Sequence, residues 1–113
     1  MAAKTAGPID LEHLNQVTFG NRALAREVLS LFDHQAEKLL AEIVAAPHDR
    51  SRREAAHALR GGALGIGAVA VAEAAGELET AGQDAADVAG ATGRLAVHIA
   101  AARLAIARFL TAD

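Results

Sequence analysis

The stretch A-A-H-A-L-R-G-G-A-L-G-I-G-A, residues 55–68, combines a histidine with an arginine three positions on and a glycine four positions on. It admits two phosphate chemistries. One is a glycine loop, since Gly65-Ile66-Gly67-Ala68-Val69-Ala70 spells G-x-G-x-x-A, a permitted variant of the dinucleotide-binding fingerprint. That loop works only between a strand and a helix, inside a βαβ unit. The preceding S-R-R-E-A-A-H-A-L-R is helical in propensity, no parallel partner strand follows, and no G-K-[ST] occurs anywhere. The nucleotide-loop reading fails on context. The second chemistry belongs to the histidine.

On a helical wheel at about 100° per residue with His57 at zero, Ala55, Leu59, Gly62, Ala63 and Ile66 fall at about 140–240°. These are the core positions. Arg50, Arg53, Arg60, Gly61 and Leu64 fall within about 60° of the histidine, so His57 is expected to point outward between arginines. A helical side chain leans toward the N-terminus, so the residue best placed to shield His57 is the one four positions on. That residue is Gly61, which leaves the imidazole open at about 1 kcal/mol of helix propensity relative to alanine. Arg60 is long enough to meet negative charge at the ring, and Leu64 adds an exposed apolar contact. At neutral pH a solvated imidazole keeps one unprotonated nitrogen as a nucleophile. A lone surface histidine is ordinarily just solvated; here the outward histidine, the arginine and the glycine share one face.

The elements that position this face are all helical. The 113 residues are 52% hydrophobic and 3% aromatic, and alanine, the best helix former, supplies much of the apolar content. β-branched and aromatic residues are too sparse for a sheet. Residues 1–8 read as a flexible tail, and 9–113 as one domain. Asp10 is expected to cap a short helix with Leu11, Leu14 and Val17 on its inner face. A long amphipathic helix follows from Arg22 to about Ala46, with Leu24, Val28, Leu31, Phe32, Leu39, Leu40 and Ile43 inward, stopped by Pro47. The third helix starts near Asp49 to Ser51, where Ser51-Arg52-Arg53-Glu54 fits a capping box, and ends at the glycines near Leu64. A fourth spans about Ala68 to Ala81, with Val71, Ala72, Ala75 and Leu78 inward, ended by Gly82. The last runs from about Asp84 to Leu110, with Val88, Leu95, Ile99, Ala102, Ile106 and Phe109 inward. Four substantial helices, short connections and one short leading helix predict an antiparallel four-helix bundle.

The residues around His57 resemble the motif of histidine-containing phosphotransfer (HPt) domains, H-x-L-K-G-S-[SA]-x-x-[LIV]-G. His57, Leu59, Gly61, Ala63, Ile66 and Gly67 match it, with Arg60 in the lysine position. The resemblance extends to Phe32, to G-E-L-E at 76–79 and to the helix order from Ile9 to Leu110. Two positions depart from it: Arg60 replaces an ammonium with a guanidinium fork, and Gly62 stands where the family often has serine. The resemblance implies a phosphorelay carrier. His57 would accept a phosphoryl group and exchange it with an aspartate on response-regulator receiver domains, fed by a hybrid histidine kinase. Arg60 would offset the phosphoryl charge, Gly61 would give access, and Arg50, Arg53 and Leu64 would meet the partner. No cofactor is implied on this chain, because Mg²⁺ would come with the receiver, and no autonomous kinase or hydrolase activity is expected.

The remaining features set the alternatives. A net charge of −3 argues against nucleic acid as main partner. No secretory leader and no membrane span are apparent, so a cytoplasmic protein is expected, and the absence of cysteine removes thiolate and Cys-type metal chemistry. His13, His34, His48 and His98 form no i,i+3 or i,i+4 pair that would make a metal site on one helix. Glu73, Glu77 and Glu79 read as a solvated face, with a structural role for Glu79 in G-E-L-E. The alternative function is a phosphorylation-independent helical binding module that sequesters a receiver domain or another partner.

Overall fold

The computed structural model describes residues 7–112. Five helices account for the architecture: α1 (Leu11–Val17), α2 (Arg22–Ala45), α3 (Asp49–Ile66), α4 (Val69–Thr80) and α5 (Ala85–Thr111), with no strand among the described residues. The fold is all-helical, as composition predicted. The tail expected over 1–8 lies outside the described residues except for Gly7 and Pro8, which are exposed, and Ile9 beyond them is already buried.

Capping chemistry sets most boundaries. Asp10 accepts from the His13 N–H at 3.1 Å, Asn21 from Leu24 at 3.0 Å, and Asp84 from Ala86 at 2.8 Å. Each satisfies an N–H that the first turn leaves without an intrahelical acceptor. The third helix departs from expectation. Its N-cap is His48, whose Nδ1 accepts from the Ser51 N–H at 3.4 Å, so Ser51 lies inside the first turn. The Ser51–Glu54 capping box therefore does not form. The Ser51 hydroxyl donates to the His48 carbonyl at 2.9 Å, and Glu54 instead accepts from Arg50 at 3.2 Å. Asp49 at the first helical position adds a favourable interaction with the helix dipole. The helix also outruns its expected end: Gly65 is helical, and Gly67 alone, at φ +81°, closes α3 as a left-handed cap. α4 likewise ends at Thr80, before Gly82.

α2 packs on α3, α3 on α4, α4 on α5, and α5 on α2, while α1 lies against α3 and α2. The shared core holds Leu14, Leu29, Phe32, Leu59, Val71, Leu78, Leu95, Ile99 and Ile106, with alanines at 25, 36, 56, 63, 72, 75 and 102 between them. Small residues let the helix backbones come close. Leu11 and Val17, expected on the apolar face of α1, and Leu31, expected on that of α2, are exposed; α2 turns Ala25, Leu29 and Ala36 inward. Val88 and Phe109 are only partly buried. Arg103 ties α5 to α2, donating to Asp33 at 2.8 Å and 3.4 Å and lying 3.6 Å from Glu37. The Asp33 hydrogen bond holds this guanidinium above its ordinary range against the opposing effect of burial.

The glycines around the α3–α4 turn can be told apart by substitution. A Cβ on Gly67 would lie 3.0 Å from the Asp10 carbonyl oxygen, on a backbone conformation L residues avoid, whereas one on Gly65 meets nothing within 4 Å. Gly67→Ala should destabilise the protein by more than about 1 kcal/mol. Gly65→Ala should leave stability unchanged or raise it by up to about 1 kcal/mol. Chemical denaturation of the two variants checks the contrast; equal effects would contradict it.

Candidate functional site

His57 sits midway along α3, with Ala55, Ala56, Leu59 and Ala63 buried behind it. Its side chain is 74% exposed. The imidazole is nevertheless held at one nitrogen: Nδ1 lies 2.6 Å from Oε2 of Glu79 on α4. An ionised carboxylate only accepts hydrogen bonds, so Nδ1 carries the proton and donates it. Nε2 is then the nitrogen with the lone pair, and it has no hydrogen-bond partner among the described residues. A carboxylate behind a histidine fixes both tautomer and ring orientation. Here it aims a nucleophilic nitrogen at solvent.

Glu79 was the residue that sequence reasoning undervalued. Its side chain is 21% exposed, and its second oxygen lies 3.6 Å from NH1 of Arg60. One carboxylate therefore serves both His57 and Arg60. The Arg60 stem crosses to α4 over Gly76, where a Cβ would stand 3.7 Å from the arginine Cδ and Nε, an ordinary contact. Arg60 is thus anchored close to the imidazole. The signal that could have found Glu79 was the short α3–α4 connection, which pairs residues equidistant from the turn.

The other expected site residues are arranged less tightly. Gly61 is exposed, and a Cβ there would meet nothing within 4 Å, the His57 ring included. Its clearance matters for anything approaching the ring rather than for the ring itself. Gly62 lies on the opposite side, where a Cβ would come within 2.7 Å of the Gln35 Oε1 and 3.6 Å of Phe32. A side chain there would displace the end of Gln35 and touch Phe32 at ordinary distance. Leu64 is exposed on the rim of a groove between α3 and α4, about 740 Å³ in volume, that runs past Arg60, Val69 and Gly76 to Glu79. Arg50 and Arg53 are one to two turns below His57. Each already faces an acid on its own helix, Arg50 with Glu54 at 3.2 Å and Arg53 with Asp49 at 3.9 Å. Exposed pairs of this kind are worth about 0–1 kcal/mol, so both remain available to a competing anion.

Two of the remaining histidines have local work. His13 places Nε2 3.3 Å from the Gly65 carbonyl, bracing α1 against the end of α3, and His48 caps α3. No group of three or more His, Asp or Glu side chains among the described residues is arranged to hold a metal ion. None of the described helices is long and apolar enough to cross a membrane. No protein-family model, no curated protein and no solved structure matches the chain.

The His57–Glu79 bond makes a prediction about the ring itself. Imidazole ¹⁵N shifts in the native protein should show the neutral ring as the Nδ1–H tautomer. Glu79→Ala should move the ring toward the Nε2–H tautomer, with stability lowered by no more than about 1 kcal/mol for a pair this exposed. An unchanged tautomer in the variant would mean that Glu79 does not orient the ring.

Proposed function

We propose that this chain is a phosphorelay carrier of the HPt kind, an antiparallel four-helix bundle that takes a phosphoryl group on Nε2 of His57. The observation that carries the proposal is the carboxylate-held, outward-facing imidazole, with a guanidinium fixed beside it. Phosphoryl transfer asks mainly for in-line positioning and charge neutralisation. His57 supplies an exposed nucleophile at fixed orientation. As the Nε2–P bond forms, the P–O bond to the donor aspartate breaks and that carboxylate departs. The ring, still protonated at Nδ1, becomes cationic, and Glu79 stabilises that charge much as an aspartate supports a catalytic histidine. Arg60 offsets part of the roughly −2 charge of the phosphoryl group.

In this reading the donor and acceptor are response-regulator receiver domains, supplied with phosphoryl groups by a hybrid histidine kinase in the cytoplasm. The receiver brings the Mg²⁺. Arg50 and Arg53 suit an acidic rim around the receiver's aspartate, and Leu64 gives an apolar contact in the groove. That same groove also favours the second reading, a module that binds a receiver without transferring anything. The residues separate the two. Transfer depends on Nε2, whereas sequestration depends on Leu64 and the surface around it.

Incubation with a phosphorylated receiver domain should give acid-labile label on this chain, and His57→Gln should abolish it. Arg60→Ala should slow labelling by about a hundredfold, the low end of the scale of one charge-stabilising group, with the helical circular-dichroism signal intact. Equal labelling of His57→Gln would end the phosphoacceptor reading. Binding of the receiver that survives His57→Gln, without any transfer to the native chain, would establish the binding module instead.

A further inference from the structure

α5 carries two apolar seams, and the core uses only one. The inner seam holds Ala91, Leu95, Ile99, Ala102 and Ile106. A second runs along the outside at alternating spacings of four and three: Ala86, Gly90, Gly93, Val97, Ala100, Leu104, Ala107 and Thr111, all exposed. Val97 is 66% and Leu104 55% exposed. Solvated helix faces carry charge, and none of these eight positions does. The repeat is that of a coiled-coil seam, extending about 38 Å at 1.5 Å per residue.

The glycines in this seam lack a cause inside the subunit. A Cβ on Gly93 meets nothing within 4 Å, and one on Gly90 meets only the mobile end of Arg94 at 3.5 Å, where that side chain folds toward Glu77. Each costs the helix about 1 kcal/mol relative to alanine. A second helix gives them a cause. When the seam is laid antiparallel on a copy of itself, Val97 faces Ala100 and Gly93 faces Leu104. Gly90 then faces Ala107, and Ala86 faces Thr111. Every large side chain meets a small one. The flanking charges agree: Asp87 comes beside Arg108 of the copy, and Arg94 beside Ala101. Neither Asp87 nor Arg108 has an ion pair within the chain among the described residues. A parallel pair would instead set Arg103 beside Arg108 and stack glycine on glycine.

We propose that the outer face of α5 is a two-fold homodimer interface, occupied by α5 of a second copy in antiparallel register. The face is self-complementary, as an isologous interface must be. One helix against one helix is a small contact, so the dimer is reversible. α3 and α5 each pack on both α2 and α4, so they face each other across the core and pairing through α5 leaves His57 open. The dimer does not depend on the phosphorelay reading.

Sedimentation equilibrium of the full chain from micromolar to millimolar concentration should show the mass rising from 11.6 kDa toward twice that value. Val97→Glu buries an unpaired charge in the seam and should raise the dissociation constant about a hundredfold or more. Gly93→Leu should raise it at least about tenfold by meeting Leu104, while the monomer keeps or gains helical stability. The chain has no cysteine, so introduced pairs report the direction. Gly93→Cys with Leu104→Cys should cross-link under oxidation. Leu104→Cys alone should not, since the two copies of that position lie about 16 Å apart along the axis. A mass of one chain throughout, a dimer untouched by Val97→Glu or Gly93→Leu, or cross-linking of Leu104→Cys alone would each overturn the proposal.

Discussion

Gly67 turns α3 into α4 within two residues, and the relation between the two helices follows from that turn. Its left-handed backbone presents the Gly67 carbonyl to the Asp10 N–H, which donates to it at 2.9 Å. No side chain could replace the missing one without striking Asp10. With the connection this short, positions equally far from the turn become neighbours. Leu64 shares a groove with Ala72, Arg60 crosses Gly76, and His57 meets Glu79. The site is therefore a consequence of register. A longer loop would let α4 slide, and a slip of one residue would rotate Glu79 by about 100° away from the imidazole.

The core explains why some of this was legible from residues alone and some was not. Alanine occupies both inward and outward positions on every long helix, so apolar periodicity marks the buried face only where larger residues interrupt it. In α3, Leu59 and Ile66 oppose a run of arginines, and the wheel placed His57 outward without ambiguity. In α2 the pattern is blurred: Leu31 is exposed while Ala25 and Ala36 are buried, because close helix contacts select small side chains over large ones. Spacing finds the helix there and most of its inner face, Phe32, Leu39 and Ile43 included, but it places Leu31 inside and does not single out the buried alanines. The capping box failed for a similar reason. Ser51 and Glu54 fit a local rule, but His48 and Asp49 start the helix sooner and leave that rule nothing to satisfy.

Glu79 was hidden for a different reason. Its pairing with His57 spans 22 residues, and no local propensity encodes it. Within α4 the residue looks like one more solvated acid beside Glu73 and Glu77. Only the inter-helix register distinguishes it, by bringing its two oxygens to two different partners on α3. The electrostatics then work as a unit. A bare carboxylate beside the imidazole would repel an arriving phosphoryl group, and the Arg60 guanidinium on its second oxygen cancels that charge. In the proposed transfer Arg60 needs no large movement to share itself between Glu79 and the phosphoryl oxygens.

The outward glycines carry the argument one step further. Gly61, Gly65, Gly90 and Gly93 all lie within helices, and a side chain at any of them would meet open space or the end of one arginine. Together they forgo about 4 kcal/mol of helix propensity relative to alanine. A domain of this kind has a total stability of roughly 5–15 kcal/mol, so that is a sizeable fraction to leave unused. Nothing in the packing of the described residues requires it. The four are not scattered, however. Gly61 lies on α3 one turn from His57 and Gly65 one turn further along, and two lie in the outer seam of α5. Bare backbone on an exposed helix is of use only to something that comes close from outside, and it occurs on the two faces where a partner has been inferred for other reasons. In the proposed transfer the open surface on α3 would let a bulky donor reach Nε2, and in the proposed dimer that on α5 would receive the leucine of a facing helix.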